Sequence, residues 1–409
     1  MAKTVWYVSK YVITPGIGEP AGRAFGLMRE VARSGHESVI ITSDSQGKYG
    51  APLAQSRYDI HDLEGVRVCW VRTLKYRDSN SMRRVLSWFD FEFKLLGVPK
   101  TIPAPNTIVV SSLSLLTIFN GLRWRRKYNC RLVFEVRDIW PLTMTAEGGY
   151  SQRNPFVKIL AGVERLAYRR ADAILGTMPN LGEHVHKVTG QEIETFCVPM
   201  GIDVDAYQRG RSSETDCFDT ALPADRFIVG YAGSVGISNA LDVLFQCAQR
   251  LESKPKIHFA ILGDGELRDT YLELYGNLRN VTFLPRVPKS LVNSFLERCD
   301  LLYLSVHKSE VWEYGLSLNK LIDYMYAGRP ILASYSGHRS MINEAECGSF
   351  APAGDVEALQ VEIMKYSEMS KADLDSIGVK GKDWLEKNRP YEVLVKDFLT
   401  VLVNDSELP

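Results

Sequence analysis

The feature of this 409-residue sequence that most restricts its fold is a regular alternation of short apolar segments with longer amphipathic ones. Segments such as "TVWYVS", "ESVIIT", "NTIVVSS" and "CRLVFEV" are almost wholly apolar, and helical patterns such as "GRAFGLMREVARSG" lie between them. Strands that are apolar on both faces are typical of parallel sheets covered by helices on both sides. The sequence therefore predicts an α/β fold with a doubly wound, Rossmann-like sheet.

The alternation begins a second time after a polar, irregular stretch, with strand candidates from "RFIVGYAG" to "PILASY". A chain of this length suits two domains of about 200 residues each. We predict a first domain over 1–205, a second over 206–385, and a last segment, 386–409, whose helix packs back on the first domain. The two domains are expected to face each other across a cleft at the carboxyl ends of their strands, where such folds bind ligands.

Composition and charge exclude several classes of partner. Lys+Arg and Asp+Glu are equal at 49 each, so no net charge favours nucleic acid. We read no signal peptide and no apolar run long enough to span a membrane, and we expect a cytoplasmic protein. The seven cysteines lack C-x-x-C spacing, and Asp203 and Asp205 lie in the inter-domain connection, so no metal site is expected.

A glycine-containing loop follows the first strand of each predicted domain. In the first loop, Gly16 and Gly18 precede Arg23, and the spacing does not match the dinucleotide fingerprint G-x-G-x-x-G. A mobile substrate loop is favoured there over a nicotinamide cofactor site. The alternative is an ordinary tight turn.

The second loop holds Gly233, Ser234 and Gly236 before a helix predicted to begin near residue 238 or 239. Free N–H groups at a helix start attract phosphate, so this loop is a candidate diphosphate site. Here too a glycine turn with a capped helix is the alternative.

Charged residues follow two further strands. Arg137 and Asp138 come directly after "CRLVFEV", and Arg286 comes after "NVTFLP". A charged pair at the carboxyl end of a strand in this fold is expected at the mouth of the cleft. A structural ion pair and a solvated basic loop are the respective alternatives.

The stretch "EYGLSLNKLIDYMYAGRP", residues 313–330, places Lys320 and Asp323 three residues apart in an otherwise apolar helix. It is either a core helix with a solvated face or a ligand site.

Residues 81–97, "SMRRVLSWFDFEFKLLG", crowd large apolar side chains between arginines and lysines, and "LRWRRKYN" adds four cations. Aromatic and aliphatic residues beside Lys and Arg are typical of helices that lie on anionic membranes. We therefore expect segment 81–127 to face a membrane, the alternative being a core helix with a basic edge.

Taken together, these segments resemble the GT-B glycosyltransferases of family 4, which retain the anomeric configuration. The resemblance covers essentially the whole chain: "GRAFGLMREVARSGHESVIITS", "VPMGIDVDAY", "LGDGE", "NVTFLPRVPKSLV", "CDLLYLS" and "LIDYMYAGRPILAS" occur in family order. Together "EVRDIWP" and "GLSLNKLIDYM" resemble a subgroup of surface-polysaccharide enzymes, the fucosaminyl- or acetamido-sugar transferases of O-antigen and lipopolysaccharide assembly.

The resemblance implies a metal-independent reaction without a cofactor. Its substrates would be a nucleotide-diphosphate sugar, in particular a UDP-sugar, and a glycan linked to undecaprenyl diphosphate or a similar lipid. Asp138 and Lys320 are the candidate catalytic residues, and Gly16, Gly18, Arg23 and Arg137 would face the acceptor. The candidate donor-binding residues are Gly233, Ser234, Gly236, Arg286, Ser317, Leu318, Asn319, Lys320 and Asp323. An acceptor in the membrane implies a peripheral protein on its cytoplasmic face.

The chain also departs from the family pattern. Of two glutamates separated by seven residues, the second is Asp323 and the first falls on Gly315. The Arg and Lys that usually hold the diphosphate are missing from the second glycine loop, which reads "AGSVGIS". A UDP-sugar 2-epimerase of the same fold and a hinged two-domain sugar-binding protein are the competing interpretations.

Overall fold

The computed structural model describes residues 2–16, 21–45, 53–76, 81–209, 218 and 220–403. The chain divides into two compact units. The first unit comprises Met1–Asp203 with Pro390–Pro409, and the second comprises Val204–Arg389.

An eight-stranded sheet forms the centre of the first unit. Its strands are β1 (Thr4–Val8), β2 (Glu37–Ser43), β3 (Tyr58–Leu63), β4 (Val66–Val71), β5 (Thr107–Ser111), β6 (Arg131–Val136), β7 (Ala173–Gly176) and β8 (Thr195–Cys197). Their order is β3-β4-β2-β1-β5-β6-β7-β8, and only β3 pairs antiparallel. The doubly wound parallel sheet is thus confirmed. The hairpin of β3 and β4 was not predicted, because β3 is largely exposed and lacks an apolar run.

Helices flank this sheet. They are α1 (Arg23–Arg33), α2 (Met82–Leu95), α3 (Thr117–Tyr128), α4 (Leu142–Ala146), α5 (Pro155–Arg170) and α6 (Leu181–Thr189).

The second unit contains a six-stranded, wholly parallel sheet. Its strands are β9 (Phe227–Ala232), β10 (Ile257–Leu262), β11 (Val281–Leu284), β12 (Leu301–Ser305), β13 (Ile331–Ser334) and β14 (Gly348–Ala351), in the order β11-β10-β9-β12-β13-β14. Its helices are α7 (Val204–Arg209), α8 (Asp242–Arg250), α9 (Arg268–Tyr275), α10 (Lys289–Arg298), α11 (Asn319–Tyr326), α12 (Met341–Ala345), α13 (Val356–Ser367) and α14 (Lys371–Asn388).

Two local predictions for the second unit were wrong. The helix after the glycine loop begins at Asp242, because a short 3-10 turn and a left-handed Ala240 (φ 44°) come first. The polar stretch before the second set of strands, which we predicted to be irregular, contains the helix α7.

The last helix, α15 (Tyr391–Leu402), belongs to the first unit and packs on α1. The two helices approach so closely that a Cβ on Gly26 would lie 2.4 Å from the Tyr391 ring. Thr107 of β5 also donates a hydrogen bond of 2.9 Å to the carbonyl of Leu402.

Each sheet has one strand at which the chain reverses its direction of travel across the sheet. This strand is β1 in the first unit, between β2 and β5, and β9 in the second, between β10 and β12. Ligands of doubly wound folds bind beyond the carboxyl ends of the strands at such points. The loops after β1 and β9 are therefore where binding sites are expected.

No helix within the described ranges combines the length and the apolar character needed to cross a bilayer.

Candidate functional site

The loop after β9, residues 233–239, is fixed by neighbouring strand ends. Val235 N–H donates to the Asp264 carbonyl at 3.0 Å, in the turn after β10. Ser305 Oγ and His307 Nε2, at the end of β12, donate to the carbonyls of Asn239 and Ile237, both at 2.6 Å. Hydrogen bonds to the ends of the neighbouring strands thus fix the backbone of the loop.

Lys320 reaches this loop from the first turn of α11. Its Nζ donates to Tyr231 Oη at 2.9 Å and to Asn239 Oδ1, and it lies 4.6 Å from the centre of the Tyr231 ring. A Cβ on Gly233 would be only 3.3 Å from this Nζ. Lys320 and the second glycine loop, which are far apart in the sequence, are therefore parts of one site.

Within the described part of the chain, no carboxylate forms an ion pair with Lys320. Burial lowers the pKa of Lys320 to about 7. An amino group held only by neutral acceptors, beside a glycine of a loop at a strand end, is suited to a phosphate group.

Asp323 lies one turn further along α11 and is nearly buried. One of its oxygens accepts a hydrogen bond of 2.6 Å from Tyr207 of α7, and the other forms an ion pair with Lys289 of α10. These contacts fix the carboxylate, and each oxygen keeps a further lone pair that a ligand hydroxyl can use.

The position at which the family resemblance places a first glutamate is occupied by Gly315. Its φ of 136° lies in a region that side chains other than glycine rarely adopt. The departure from the family pattern is therefore built into the backbone here, and a substitution of this one residue would not restore the glutamate without strain.

Gly236 has a different environment from Gly233. Glu266 Oε1 accepts a hydrogen bond of 3.2 Å from Ile237 N–H and lies 3.5 Å from the place of a Cβ on Gly236. A carboxylate here repels phosphate, and it already uses one of the N–H groups that we expected to be free. Within the predicted loop, the Gly233 side is thus the part suited to a diphosphate.

The remaining predicted donor-site residues lie around the same sheet edge. Leu318 is the N-cap of α11 and no side chain caps that helix. The N–H groups of Asn319 and Lys320 therefore lack an intrahelical acceptor, whereas Leu321 N–H donates to the Leu318 carbonyl at 3.1 Å. Ser317 is half-buried just before them. Ser234 accepts a hydrogen bond from Tyr231 through its carbonyl at 2.6 Å, and Arg286 is exposed after the edge strand β11.

In the first unit, Arg137 and Asp138 follow β6 as predicted, and Ser112 fixes their backbone. Ser112 Oγ accepts from Arg137 N–H at 3.0 Å and donates to the Asp138 carbonyl at 3.1 Å. Asp138 is exposed and Arg137 half-buried, so both side chains can meet a ligand. Gly16 is exposed, and Gly18 lies outside the described residues.

The structure corrects the prediction for Arg23. Its guanidinium has no exposed surface, forms an ion pair with the equally buried Glu135, and donates to the carbonyls of Val198 and Pro199 at 2.6 and 3.0 Å. Glu135 also accepts a hydrogen bond from Tyr7. Arg23 therefore holds β6 and the segment after β8 against α1, and it cannot contact an acceptor.

Sequence reasoning missed a cluster after β1. Lys10 is fully buried with its Nζ 4.8 Å from the Tyr11 ring centre and 5.2 Å from that of Tyr76, and burial lowers its pKa to about 7. Trp88 donates to Tyr11 Oη at 2.8 Å and contacts Trp140 edge to face at 5.9 Å. These half-buried rings offer apolar faces with polar tips at the switch point of the first sheet.

Sequence reasoning also missed four residues of the candidate donor site in the second unit: Tyr207, Tyr231, Asn239 and His307. Their contacts with Asp323, Lys320 and the loop span up to 116 positions in the sequence, and no local pattern encodes such pairings.

Within the described ranges, no three His, Cys, Asp or Glu side chains come together as a metal site. Asp203, which we placed in the inter-domain connection, pairs with Arg29 at 2.6 Å.

Comparison with known families gives a consistent answer for both units. Residues 18–201 match the family model "Glycosyl transferase 4-like domain", and residues 226–368 match "Glycosyl transferases group 1". A curated relative, the putative colanic acid biosynthesis glycosyl transferase WcaI of Escherichia coli K12, is 23% identical over 286 residues, which cover 66% of this chain and 68% of that protein.

Solved structures support the fold. Sucrose-phosphate synthase from Thermosynechococcus elongatus superimposes with a TM-score of 0.71 at 16% identity, and the match covers 97% of this chain and 98% of that structure. Anabaena Alr3699/HepE, in complex with UDP and glucose, has a TM-score of 0.67 at 15% identity, covering 99% and 100%. Likeness at these identities concerns the fold alone.

Proposed function

The chain is a glycosyltransferase of the GT-B type, and from this premise we propose that it transfers a sugar from a UDP-sugar, bound by the second unit, to a lipid-linked glycan. The observation that carries the donor assignment is Lys320. It is a cation with neutral hydrogen-bond partners, held beside Gly233 at the switch point of a doubly wound sheet. The UDP bound to Alr3699/HepE supports the choice of nucleotide.

In the proposed reaction the bond between the anomeric carbon and the diphosphate breaks, and negative charge develops on the leaving group. A preorganised cation stabilises that charge most where water is excluded. Lys320 supplies it together with the uncapped N–H groups at the start of α11. Because the protein itself supplies this charge, we propose a reaction that needs no metal ion or other cofactor.

Asp323 is proposed to accept hydrogen bonds from the ribose hydroxyls, since Tyr207 and Lys289 already fix its orientation. We propose that the anomeric configuration is retained, in line with the family that the sequence resembles. No carboxylate stands at the position of Gly315, so the proposed route forms no covalent bond to a side chain there.

The acceptor is proposed to bind the first unit. Asp138 would orient the attacking hydroxyl, and Arg137 would pair with an acceptor phosphate. The rings of Tyr11, Trp88 and Trp140 would contact its sugar faces. The likeness to a putative colanic acid enzyme supports a role in surface-polysaccharide assembly. The subgroup that the sequence resembles makes an acetamido-sugar such as a fucosamine one candidate donor sugar. A lipid-linked acceptor places the protein at the cytoplasmic face of a membrane.

Mass spectrometry of nucleotide-sugar hydrolysis tests this function. The full chain is incubated with a panel of UDP-, GDP- and dTDP-sugars, and release of each nucleoside diphosphate is measured. We expect release of UDP from at least one UDP-sugar and no release of GDP or dTDP from the other nucleotide sugars. Release from GDP- or dTDP-sugars alone would refute the UDP assignment, and an epimerised sugar nucleotide without release would favour the 2-epimerase.

Donor binding is also expected to take up a proton. Above pH 7 the free protein holds Lys320 largely uncharged, because burial lowers its pKa to about 7, and a bound diphosphate restores the charge. Affinity for UDP should therefore fall as the pH rises above 7, and near pH 8 binding should take up close to one proton. Calorimetric titration in two buffers of different ionisation enthalpy measures this uptake. Equal uptake in Lys320→Met would contradict the assignment.

A further inference from the structure

Helix α2 exposes one continuous apolar face. Met82, Leu86, Phe89, Phe93 and the C-cap residue Leu96 have 74, 52, 53, 68 and 48% of their surface exposed. Their spacing of 4, 3, 4 and 3 residues places all five on one side of the helix. Single exposed apolar residues need no explanation, but a row along the whole helix does.

The exposure does not come from a loosely packed helix. Ser87, Phe91 and Leu95 are buried on the opposite side of α2. Between them Glu92 accepts hydrogen bonds from Ser114 and Asn120 at 3.0 and 2.8 Å, and from Thr117. The helix is anchored to α3, so its apolar face is a fixed feature of the surface.

The apolar face continues onto α3 and becomes basic there. Phe119, Arg123 and Arg126 are exposed at positions four and seven residues apart, on one side of α3. Arg123 donates to the carbonyl of Leu96 at 3.4 Å, which joins the two faces at the end of α2. Arg83 and Lys100 are exposed near the two ends of the apolar row.

Carboxylates are scarce on this surface. The two helices contain only Asp90 and Glu92. Asp90 forms an ion pair with Lys94 at 2.8 Å, and Glu92 accepts hydrogen bonds from α3. Neither carboxylate is therefore left to repel an anionic partner. We call the exposed set Met82, Leu86, Phe89, Phe93, Leu96, Phe119, Arg123 and Arg126 the α2–α3 face.

We infer that the α2–α3 face lies on a bilayer that contains anionic lipids. Its apolar row enters the boundary between headgroups and acyl chains, and its arginines contact the headgroup phosphates, as in helices that lie in a membrane plane. The inference extends the proposed function, whose acceptor is lipid-linked, by assigning the surface that meets the lipid.

The structure also separates lipid-facing cations from structural ones. Arg84 lies over the Trp88 ring at 5.4 Å, and Arg125 is paired with Asp172 and donates to the Arg170 carbonyl at 3.1 Å. These two arginines within segment 81–127 therefore serve the fold, and the test below leaves them unchanged.

Vesicle flotation of the full chain tests the inference, with phosphatidylcholine vesicles with and without phosphatidylglycerol. We expect the wild type to float with the anionic vesicles and to be released by salt. Phe89→Glu/Phe93→Glu should lower the bound fraction about tenfold or more. Arg123→Glu/Arg126→Glu should abolish the preference for anionic lipid. Leu274→Glu/Val361→Glu, which changes exposed apolar residues of the second unit (63 and 60% exposed), is the matched control and should float like the wild type.

Two outcomes would overturn the inference. One is a wild type that does not float. The other is a wild-type dimer in light scattering that Phe89→Glu/Phe93→Glu dissociates, since the face would then meet another copy of the chain. Donor hydrolysis without vesicles should be unchanged in all three variants. Flotation without any hydrolysis would instead count against the proposed function and leave the membrane surface standing.

Discussion

Replacement of Lys320 by methionine is expected to lower donor hydrolysis by about 100- to 1,000-fold, the usual effect of removing one fixed group that stabilises a developing oxyanion. Methionine keeps most of the apolar stem and removes the amino group, which lies 4.6 Å from the centre of the Tyr231 ring and beside Gly233. Because the same group is proposed to hold the diphosphate before the bond breaks, UDP affinity should fall as well. Calorimetry and the hydrolysis assay measure the two effects separately.

Lys382 offers a matched control for this substitution. It too lies over a tyrosine ring, with its Nζ 4.9 Å from the centre of Tyr326, but it belongs to α14 and is not a predicted donor-site residue. Lys382→Met should leave hydrolysis within about a factor of two of the wild type. If both variants lose activity equally, the loss reflects a general effect on the second unit. If neither does, Lys320 does not bind the donor.

Replacement of Arg23 by methionine is expected to destabilise the first unit by about 3 to 5 kcal/mol, because it leaves the Glu135 carboxylate buried without its counter-charge. Arg23 lowers the pKa of Glu135 despite the burial that raises it, so loss of the arginine favours protonation or unfolding. Urea denaturation followed by tryptophan fluorescence measures the change.

Arg33→Met is the control for Arg23→Met, since Arg33 lies on the same helix with 56% of its side chain exposed, and it should change stability by no more than about 0.5 kcal/mol. The double variant Arg23→Met/Glu135→Gln removes both charges and should recover part of the loss. If Arg23→Met unfolds like the wild type but no longer transfers sugar to an acceptor, the original assignment of Arg23 to the acceptor site would be the better one.

Sequence reasoning located the folds and the segments that the structure brings together as the candidate donor site, because local chemistry encodes both. Apolar strands, a glycine loop and the pair Lys320 and Asp323 are visible within short windows. The assignment of Arg23 failed for the same reason: a cation at the start of a helix, after a glycine loop, resembles an anion-binding residue. Its partner Glu135 is 112 positions away, and no local pattern distinguishes a buried pair from an exposed site.

The environments of the site residues could not be predicted either. Glu266 is visible in the sequence as the carboxylate of the segment "LGDGE", but its contact with Ile237 depends on how two loops meet. Similarly, the apolar residues of α2 were visible in the sequence, but only the structure shows which of them are buried in the core and which are exposed. Phe91 and Leu95 turned inward, while Phe89 and Phe93 stayed exposed.

The most direct test of the donor site is a crystal structure of the full chain with UDP. We expect the diphosphate against Gly233, with a phosphate oxygen about 3 Å from Lys320 Nζ, and the ribose within hydrogen-bond distance of Asp323. Nucleotide bound away from the carboxyl end of β9, or bound there with Lys320 still directed only at Tyr231 and Asn239, would contradict the account.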